Sequence, residues 1–306
     1  MEERIYYETK SPLLFLTFNR FDTTKKVFEV IKQVKPPKLY LASDGARLNK
    51  SGEKEIVETV RNFLLNNIDW DCQINTLFRE TNLGCGIAVS SAINWFFENE
   101  EMGIILEDDC LPSKSFFRFC DELLLKYKDD ERIMHISGDN FQDGKQRGDA
   151  SYYFSKISHI WGWASWRRAW ELYDFEMKSL NNFITYKMAK NIWNQNKIQK
   201  YWIKQFVKVS SGKIDTWDYQ WNYSLIINNG LSILPNINLV ENIGFNSEAS
   251  HTKNSNLQLP KANQITFPLK HPKIFIPDME ADAYTFSKQY QPNLFNRALN
   301  KLKKYI

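Results

Sequence analysis

Three consecutive carboxylates, Glu107, Asp108 and Asp109, directly follow the apolar residues 103–106. A buried strand that ends in three acids either exposes them at the start of the next helix, where the helix dipole favours negative charge, or uses them to hold a cation. Carboxylate oxygens are the hard ligands that Mg²⁺ and Mn²⁺ prefer. The triplet therefore predicts either a divalent-cation site or the acidic start of a helix that begins near Ser113.

A second pair of carboxylates, Asp215 and Asp218, lies three residues apart in the segment DTWDYQW. If both are helical they share one face of the helix, and a carboxylate there is suited to remove a proton from an attacking hydroxyl group. Asp215 is alternatively the N-cap of that helix, which favours Asp218 as the base. Trp217 and Trp221 of the same segment either pack in the core or form a wall that stacks on a sugar.

Regular elements must position these acids, and the first 130 residues alternate between apolar runs and amphipathic segments. The predicted strands are PLLFLTF, PPKLYLAS, CQINTLFR and MGIILEDD, with a helical pattern after each. Such alternation with short connections indicates a mainly parallel sheet covered by helices on both faces. Since ligands bind beyond the carboxyl ends of the strands, we expect FNRFD, SDG, RETNLGCG and EDDC at one edge.

The pattern changes after about residue 130. WGWASWRRAWELY is predicted to be helical because Trp163, Trp166 and Trp170 are three and four residues apart. DTWDYQWNYSLIINNG is predicted as another helix, LSILP as a strand, and residues 246–290 as long loops. These parts read as one domain with an added carboxyl-terminal section.

Composition limits the class of protein. The 306 residues are 43% hydrophobic, and 40 basic residues nearly balance 36 acidic ones, so the charge does not indicate a nucleic-acid partner. The four cysteines, Cys72, Cys85, Cys110 and Cys120, form no CxxC pair, which argues against a zinc site or a disulfide framework. The first residues lack the apolar region of a signal peptide, and no apolar run reaches about 18 residues. A cytoplasmic protein is expected.

Taken in order, TFNRFD, SDG, RETNLGCG, LEDDC, WGWASW, DTWDYQW and NSEASHT resemble nucleotide-diphospho-sugar glycosyltransferases of the GT-A fold. The likeness is closest to bacterial members of the large inverting family two, with features of the medial-Golgi N-acetylglucosaminyltransferase. It covers roughly residues 11–255. It implies a Rossmann-like GT-A domain over residues 1–255, with a nucleotide-binding half at about 11–130 and an acceptor half at about 131–255, followed by a helical extension over 256–306.

The resemblance also implies roles for particular residues. Asp109 and His251 would bind Mn²⁺ or Mg²⁺, and Asp218, or otherwise Asp215, would be the catalytic base. A nucleotide-sugar donor would contact a larger set, made of Thr17, Asn19, Arg20, Asp44, Arg79, Asn82, Gly84, Gly86, Glu107, Asp108, Trp161, Gly162 and Trp163.

Some of these positions have simpler interpretations. Asp44 is equally consistent with an ordinary Asp-Gly turn, and Gly84 and Gly86 with a loop that caps a helix. A single histidine in a polar segment, such as His251, is commonly just exposed to solvent.

The implied function is transfer of a sugar from a UDP-linked donor to a saccharide, or lipid-linked saccharide, in bacterial surface glycan assembly. One alternative is a sugar-phosphate nucleotidyltransferase, although the first strand ends in TFNRFD without the glycine-rich signature of such enzymes. Another is a non-catalytic protein that binds carbohydrate or nucleotide. The tail LFNRALNKLKKYI reads as a basic amphipathic helix, which either packs on the body or contacts the inner face of a membrane.

Overall fold

The computed structural model describes residues 7–244 and 260–290 of the chain. Its strands are β1 (Leu13–Thr17), β2 (Lys38–Ser43), β3 (Gln73–Phe78), β4 (Met102–Glu107), β5 (Cys110–Pro112), β6 (Ile133–Ser137), β7 (Tyr152–Ser155), β8 (Trp163–Trp166), β9 (Leu231–Pro235) and β10 (Val240–Asn242). Its α-helices are α1 (Phe21–Val34), α2 (Glu53–Asn67), α3 (Cys85–Asn99), α4 (Lys114–Lys126), α5 (Arg167–Trp170), α6 (Leu180–Thr185), α7 (Asn196–Ser210), α8 (Asp218–Ile227) and α9 (Met279–Thr285).

Eight of the described strands form one mixed sheet in the order β3-β2-β1-β4-β8-β6-β9-β7. The first four pair in parallel, and β8 runs antiparallel to both of its neighbours. Because β6 and β9 are parallel to each other and opposite to β8, they point the same way as β1–β4. Six strands therefore end at one edge, which confirms the predicted α/β class and its mainly parallel sheet.

Helices cover both faces of the sheet, as the alternation of side chains along a strand requires. In β1, Leu13 and Phe15 point into a core shared with α1, α2 and α4. The intervening Leu14 and Leu16 point into a second core, shared with α3, α5 and α8. Buried on both sides, β1 reads as the continuous apolar run LLFLT, as expected for a central parallel strand.

A third core lies away from the sheet. It is formed by α6, α7, the inner face of α8 and Phe286, with Trp193, Trp202 and Phe206 among its fully or almost fully buried side chains. Helix α8 therefore lies between the second core, which contacts the sheet, and this third core.

The segment WGWASWRRAW is not the continuous helix that its tryptophan spacing predicted. Trp163–Trp166 forms strand β8, and only Arg167–Trp170 is helical. The strand is inserted between β4 and β6, where Trp163 pairs with Ile105 on one side and with Ser137 on the other. Sheet pairing and burial on alternate faces outweigh the local spacing at this position.

Other elements also differ from the prediction. Helix α8 begins at Asp218, so Asp215 lies outside it. Helix α9 lies within residues 246–290, where only loops were predicted, and its N-cap Asp278 accepts a hydrogen bond from the Ala281 amide at 2.9 Å. The predicted division at residue 255 and the amphipathic tail fall in or beside residues 245–259 and 291–306, outside the described residues, so both stay predictions. None of the helices in residues 7–244 and 260–290 combines the length and apolar composition that a membrane crossing requires.

Candidate active site

The acid triplet lies where β1 and β4 end side by side, since the two strands are paired in parallel from Leu13 to Leu16. The loop after β1 returns to the acids. The Phe18 amide donates to Asp108 Oδ2 at 3.2 Å, and Arg20 Nη1 lies 2.5 Å from Asp109 Oδ2. The fold therefore places the positively charged side chain of Arg20 beside Asp109, although the two residues are 89 apart in sequence.

Arg20 does not neutralise the whole group. Burial raises the pKa of the Glu107 carboxyl well above its ordinary value, and the charges of Asp109, Asp108 and Asp218 add to this increase. Burial, and then the charge of Asp109, raise the pKa of Asp108 to about 7, against the opposing effects of Arg20 and the Phe18 amide. The site thus brings together more carboxyl groups than one arginine can neutralise, and a bound cation would favour their ionised forms.

The structure describes one of the two predicted metal ligands, Asp109, and not the other. Within residues 7–244 and 260–290, no group of three or more His, Cys, Asp or Glu side chains has an arrangement that could hold a metal ion. Asp109 is turned towards Arg20, and His251 lies outside the described residues. The carboxylate oxygens present have the right chemistry for Mg²⁺ or Mn²⁺, but a full ligand set is not assembled from the described residues.

Asp218, the predicted base, is the first residue of α8 and is half-buried. The Thr216 hydroxyl donates a hydrogen bond to Asp218 Oδ1. The negative charge of Asp218 contributes to the raised pKa of Glu107, and also to those of Tyr201 and Tyr219. The candidate base is therefore close enough to the acid triplet and to these two tyrosines to influence their protonation.

Asp215 has a different position from the one predicted. Its Oδ2 accepts the Cys85 amide and its Oδ1 accepts the Gly86 amide, each at 2.9 Å. These are the first two residues of α3, which has no side-chain cap of its own. Asp215 thus caps a helix that begins 130 residues earlier, instead of α8, and both of its oxygens are engaged in doing so.

The same contact explains the two glycines of RETNLGCG. A Cβ atom on Gly84 would lie 2.6 Å from Asp215 Oδ2, and one on Gly86 would lie 2.7 Å from Asp215 Oδ1. Gly84 also has φ +80°, a conformation that side chains disfavour. In the structure the group that lies against this backbone is the Asp215 carboxylate, and the contact of the two glycines with a nucleotide-sugar donor stays a prediction.

Asp44 is occupied in a comparable way. It accepts hydrogen bonds from the backbone amides of Gly45, Leu83 and Gly84 at 2.9–3.2 Å, and from Asn82 Nδ2 at 2.9 Å. The Asn82 amide also donates to the Gly45 carbonyl at 2.8 Å. Asp44 and Asn82 therefore fix the loop between β3 and α3, and their predicted contacts with a nucleobase stay a prediction.

Other residues that were predicted to contact the nucleotide-sugar donor form hydrogen bonds within the protein. Thr17 donates to the Ala42 carbonyl at 3.3 Å, and Arg79 donates to Ser91 Oγ at 2.8 Å. Asn19 donates to Glu53 Oε1 at 2.9 Å. Sequence reasoning missed Glu53, a buried carboxylate at the start of α2, because nothing in its local sequence distinguishes it from a solvent-exposed first-turn acid.

The three residues 161–163 have distinct environments. The Trp163 side chain is fully buried and stacks on the buried Trp217 at a centroid distance of 5.5 Å, so it is a core residue and not the donor contact that the resemblance implied. The Gly162 carbonyl accepts the Gly138 amide at 2.7 Å. Trp161 is half-exposed and packs edge-on against Phe141 at 5.0 Å, which leaves it as the aromatic residue of this segment that can face a ligand.

Comparisons with known proteins assign neither a family nor an activity to the chain. No protein-family model and no curated protein matches the chain. HddC from Yersinia pseudotuberculosis is similar over 52% of this chain and 77% of its own, with 8% identity and a TM-score of 0.33.

Two further solved structures show the same degree of likeness. TarS 1-349 from S. aureus is similar over 51% of this chain and 47% of its own, with 10% identity and a TM-score of 0.32. The inositol-1-phosphate CTP transferase from T. maritima is similar over 54% and 74%, with 12% identity and a TM-score of 0.31. At these values, function has to be inferred from the site itself.

Proposed function

We propose that this protein is a metal-dependent inverting glycosyltransferase that moves a sugar from a UDP-linked donor to a saccharide hydroxyl in bacterial surface glycan assembly. The observation that carries the proposal is the convergence of two distant carboxylate groups at one edge of the sheet. The acids 107–109 lie at the end of β4, and Asp218 is the first residue of α8. The charge of Asp218 contributes to the raised pKa of Glu107. One group suits a diphosphate with its cation, and the other suits a general base.

On the donor side, the oxygens of Asp109 and Asp108 would hold Mn²⁺ or Mg²⁺. They fit a hard cation because they are carboxylates and because a single arginine, Arg20, pairs with them. When bound, the cation neutralises the charge that builds up on the leaving diphosphate. Arg20, 2.5 Å from Asp109, is placed to turn towards that diphosphate. Glu107 would accept hydrogen bonds from hydroxyl groups of the donor sugar or ribose.

On the acceptor side, Asp218 acts as the base. The acceptor oxygen attacks the anomeric carbon while the bond from that carbon to the diphosphate breaks, and the bonding electrons leave with the diphosphate. The hydroxyl proton passes to the Asp218 carboxylate. Thr216, whose hydroxyl is bonded to Asp218 Oδ1, orients that carboxylate, and half-exposed Trp161 offers a surface for a sugar ring.

The test is a donor-turnover assay on the purified full chain. A panel of nucleotide sugars is incubated with and without Mn²⁺, and release of nucleoside diphosphate is measured. Asp218→Asn should lower kcat roughly 10²–10⁴-fold and leave the donor Kd unchanged. Asp215→Asn is the matched comparison: it changes a carboxylate three residues away whose oxygens cap α3, so it should lower kcat far less than Asp218→Asn does.

Three results would contradict the proposal. Donor binding that is unaffected by EDTA removes the role given to Asp109. Formation of a nucleotide sugar from a nucleoside triphosphate and a sugar phosphate, with release of pyrophosphate, identifies a nucleotidyltransferase. Donor binding without turnover of any nucleotide sugar identifies a binding protein.

A further inference from the structure

Residues 177–214 have an unusual charge distribution. The segment contains eight lysines and no Asp, Glu, Arg or His, although the whole chain carries a net charge of only +4. The lysines are Lys178, Lys187, Lys190, Lys197, Lys200, Lys204, Lys208 and Lys213. A segment of this length with charges of one sign produces a local positive field that the near-balanced composition of the chain conceals.

Four of these lysines form one stripe on α7. They are spaced three, four and four residues apart, which places them on a single side of a helix with 3.6 residues per turn. The stripe consists of Lys197, Lys200, Lys204 and Lys208, called here the lysine face. The opposite side of α7 carries its buried residues, which are Ile198, Trp202, Phe206 and Val209. The helix is therefore amphipathic, with a polar side made of lysine charges.

The lysine face is not neutralised within the described part of the chain, where none of its four members forms an ion pair. Each lysine has another three or four residues away, and like charges at that spacing repel and destabilise a helix. Dissolved counter-ions screen part of this cost, and a surface that carries many negative charges would relieve more of it. The lysine face is therefore complementary in charge to a polyanionic surface.

Exposed apolar side chains accompany the lysines. Tyr186 and Met188, on either side of Lys187, are 71% and 43% exposed, and Val207 of α7 is 44% exposed. Lysines beside exposed aromatic and aliphatic side chains suit a lipid surface, where the apolar groups enter the headgroup boundary and the ammonium groups contact phosphates. A nucleic-acid surface is less favoured, because the segment contains no arginine for bidentate phosphate or base contacts.

We propose that the lysine face, together with Tyr186 and Met188, docks this protein on an anionic phospholipid bilayer. The surface is a different part of the sequence from the basic tail at residues 294–306, and it does not depend on the reaction proposed above. Docking would also position the candidate active site. Tyr201 lies on α7, its hydroxyl is 3.4 Å from that of Tyr219, and Tyr219 directly follows Asp218. A bilayer under α7 would therefore bring the candidate base close to lipid-anchored material.

The test is co-sedimentation of the full chain with vesicles. The anionic vesicles contain equal parts of phosphatidylglycerol and phosphatidylcholine, and the neutral ones contain phosphatidylcholine alone. The wild-type chain should bind the anionic vesicles at low salt and be released at high salt. Substituting the lysine face (Lys197→Gln, Lys200→Gln, Lys204→Gln and Lys208→Gln) should weaken binding roughly 100-fold or more, since each lysine near such a surface contributes about five-fold.

Two matched variants separate this surface from general charge and from the tail. The first removes four exposed lysines, two on α1, one at the start of α4 and one just after it, through Lys25→Gln, Lys26→Gln, Lys114→Gln and Lys128→Gln. The second removes the four positive side-chain charges of the tail, through Arg297→Gln, Lys301→Gln, Lys303→Gln and Lys304→Gln. Both should retain most of the vesicle binding. Melting curves check that each variant is folded, and the lysine-face variant should be no less stable than the wild-type chain, because its like charges are gone.

A further double variant tests whether the partner is a lipid surface. Tyr186→Ser with Met188→Ser should weaken binding to anionic vesicles several-fold and leave binding to soluble polyphosphate unchanged. The proposal is overturned if the wild-type chain ignores anionic vesicles, or if the lysine-face variant binds them as well as the wild-type chain does. It is also overturned if polyphosphate binds as tightly as the vesicles and Tyr186→Ser with Met188→Ser has no effect, because the face would then serve a soluble polyanion.

Discussion

The two halves of the large sheet are assembled from contacts of different range. From β1 to β4, the chain alternates strand and helix, and four parallel strands lie next to one another as β3-β2-β1-β4. From β6 to β9, the spatial order is β8-β6-β9-β7, and β8 is inserted against the direction of its neighbours. The first half is therefore encoded by local pattern, whereas the second depends on contacts that local pattern does not reveal.

The same contrast applies to the candidate site. The acid triplet belongs to the first half and follows its strand directly, so its place at the edge is a consequence of strand direction. Asp218 belongs to the second half, and its position relative to the triplet depends on how Asp215 joins α3. Substitutions in the first half and in the second half should therefore affect the candidate site in different ways.

The largest effect is expected in the aromatic core of the second half. Trp163→Ala should lower the free energy of unfolding by about 3–5 kcal/mol, because a fully buried indole leaves a large cavity. The half-exposed Trp161 is the control, and Trp161→Ala should cost about 1 kcal/mol. Urea denaturation measures both. If Trp163→Ala weakens donor binding and leaves stability intact, the residue lines the cleft as first predicted.

A pH effect is expected where α9 packs on β7. Burial raises the pKa of Asp282 to about 7, and the carboxyl group accepts hydrogen bonds from Ser155 Oγ at 2.5 Å and from the Lys156 amide at 3.0 Å. The folded state therefore retains a proton that the unfolded state loses near pH 4, so stability should fall as pH rises from about 4 to above 7.

The size of this loss is about 2 kcal/mol between pH 5 and pH 8. Asp282→Asn should make this part of the profile less steep and leave the part contributed by Asp108, and melting temperatures across the pH range provide the measurement. An equally steep profile in the variant would place the titrating group elsewhere.

A smaller effect compares two glycines. In Gly86→Ala, the new methyl group would lie 2.7 Å from Asp215 Oδ1 and 2.9 Å from the Thr216 carbonyl, so we expect a loss of about 1–3 kcal/mol. Gly212→Ala places a methyl group in open space at φ +70° and should cost about 1 kcal/mol. Only Gly86→Ala should also lower kcat, because it displaces the segment that carries Asp218. Equal kcat values in the two variants would argue against this link.

The smallest expected loss compares a distant helix cap with a local one. Asp215→Ala removes the cap of α3, and Asp278→Ala removes the cap of α9, which lies three residues from the amide it accepts. Each should cost about 1 kcal/mol of stability. Turnover should decrease only in Asp215→Ala, through the position of Asp218, with the donor Kd little changed. A decrease of the same size in Asp278→Ala would mean that turnover follows stability alone.

The sequence was informative where strand and helix alternate. LLFLT and GIILE have the length and continuous apolar character of buried parallel strands, and acids that follow such a strand must lie at its carboxyl end. The sequence was ambiguous at Trp163, Trp166 and Trp170, whose spacing fits a helix. A strand only becomes favoured there once β4 and β6 are available on both sides, which is a tertiary effect.

Within the site, the sequence indicated the right types of residue but not their partners. The Arg20–Asp109 ion pair joins residues 89 apart, and the Asp215–Cys85 hydrogen bond joins residues 130 apart. Neither pairing can be predicted from the residues that are adjacent in sequence. Both change how the residues are interpreted, since Arg20 becomes a partner of the acids and Asp215 becomes a helix cap.

The cap on α3 also provides an internal reporter of assembly. The amide protons of Cys85 and Gly86 are at the start of a helix, where backbone carbonyls cannot accept them, and they are bonded to Asp215. Their exchange with deuterium therefore depends on whether the second half is docked on the first, even while α3 itself stays folded. Hydrogen exchange at these two amides would show how often the candidate site comes apart in the native protein.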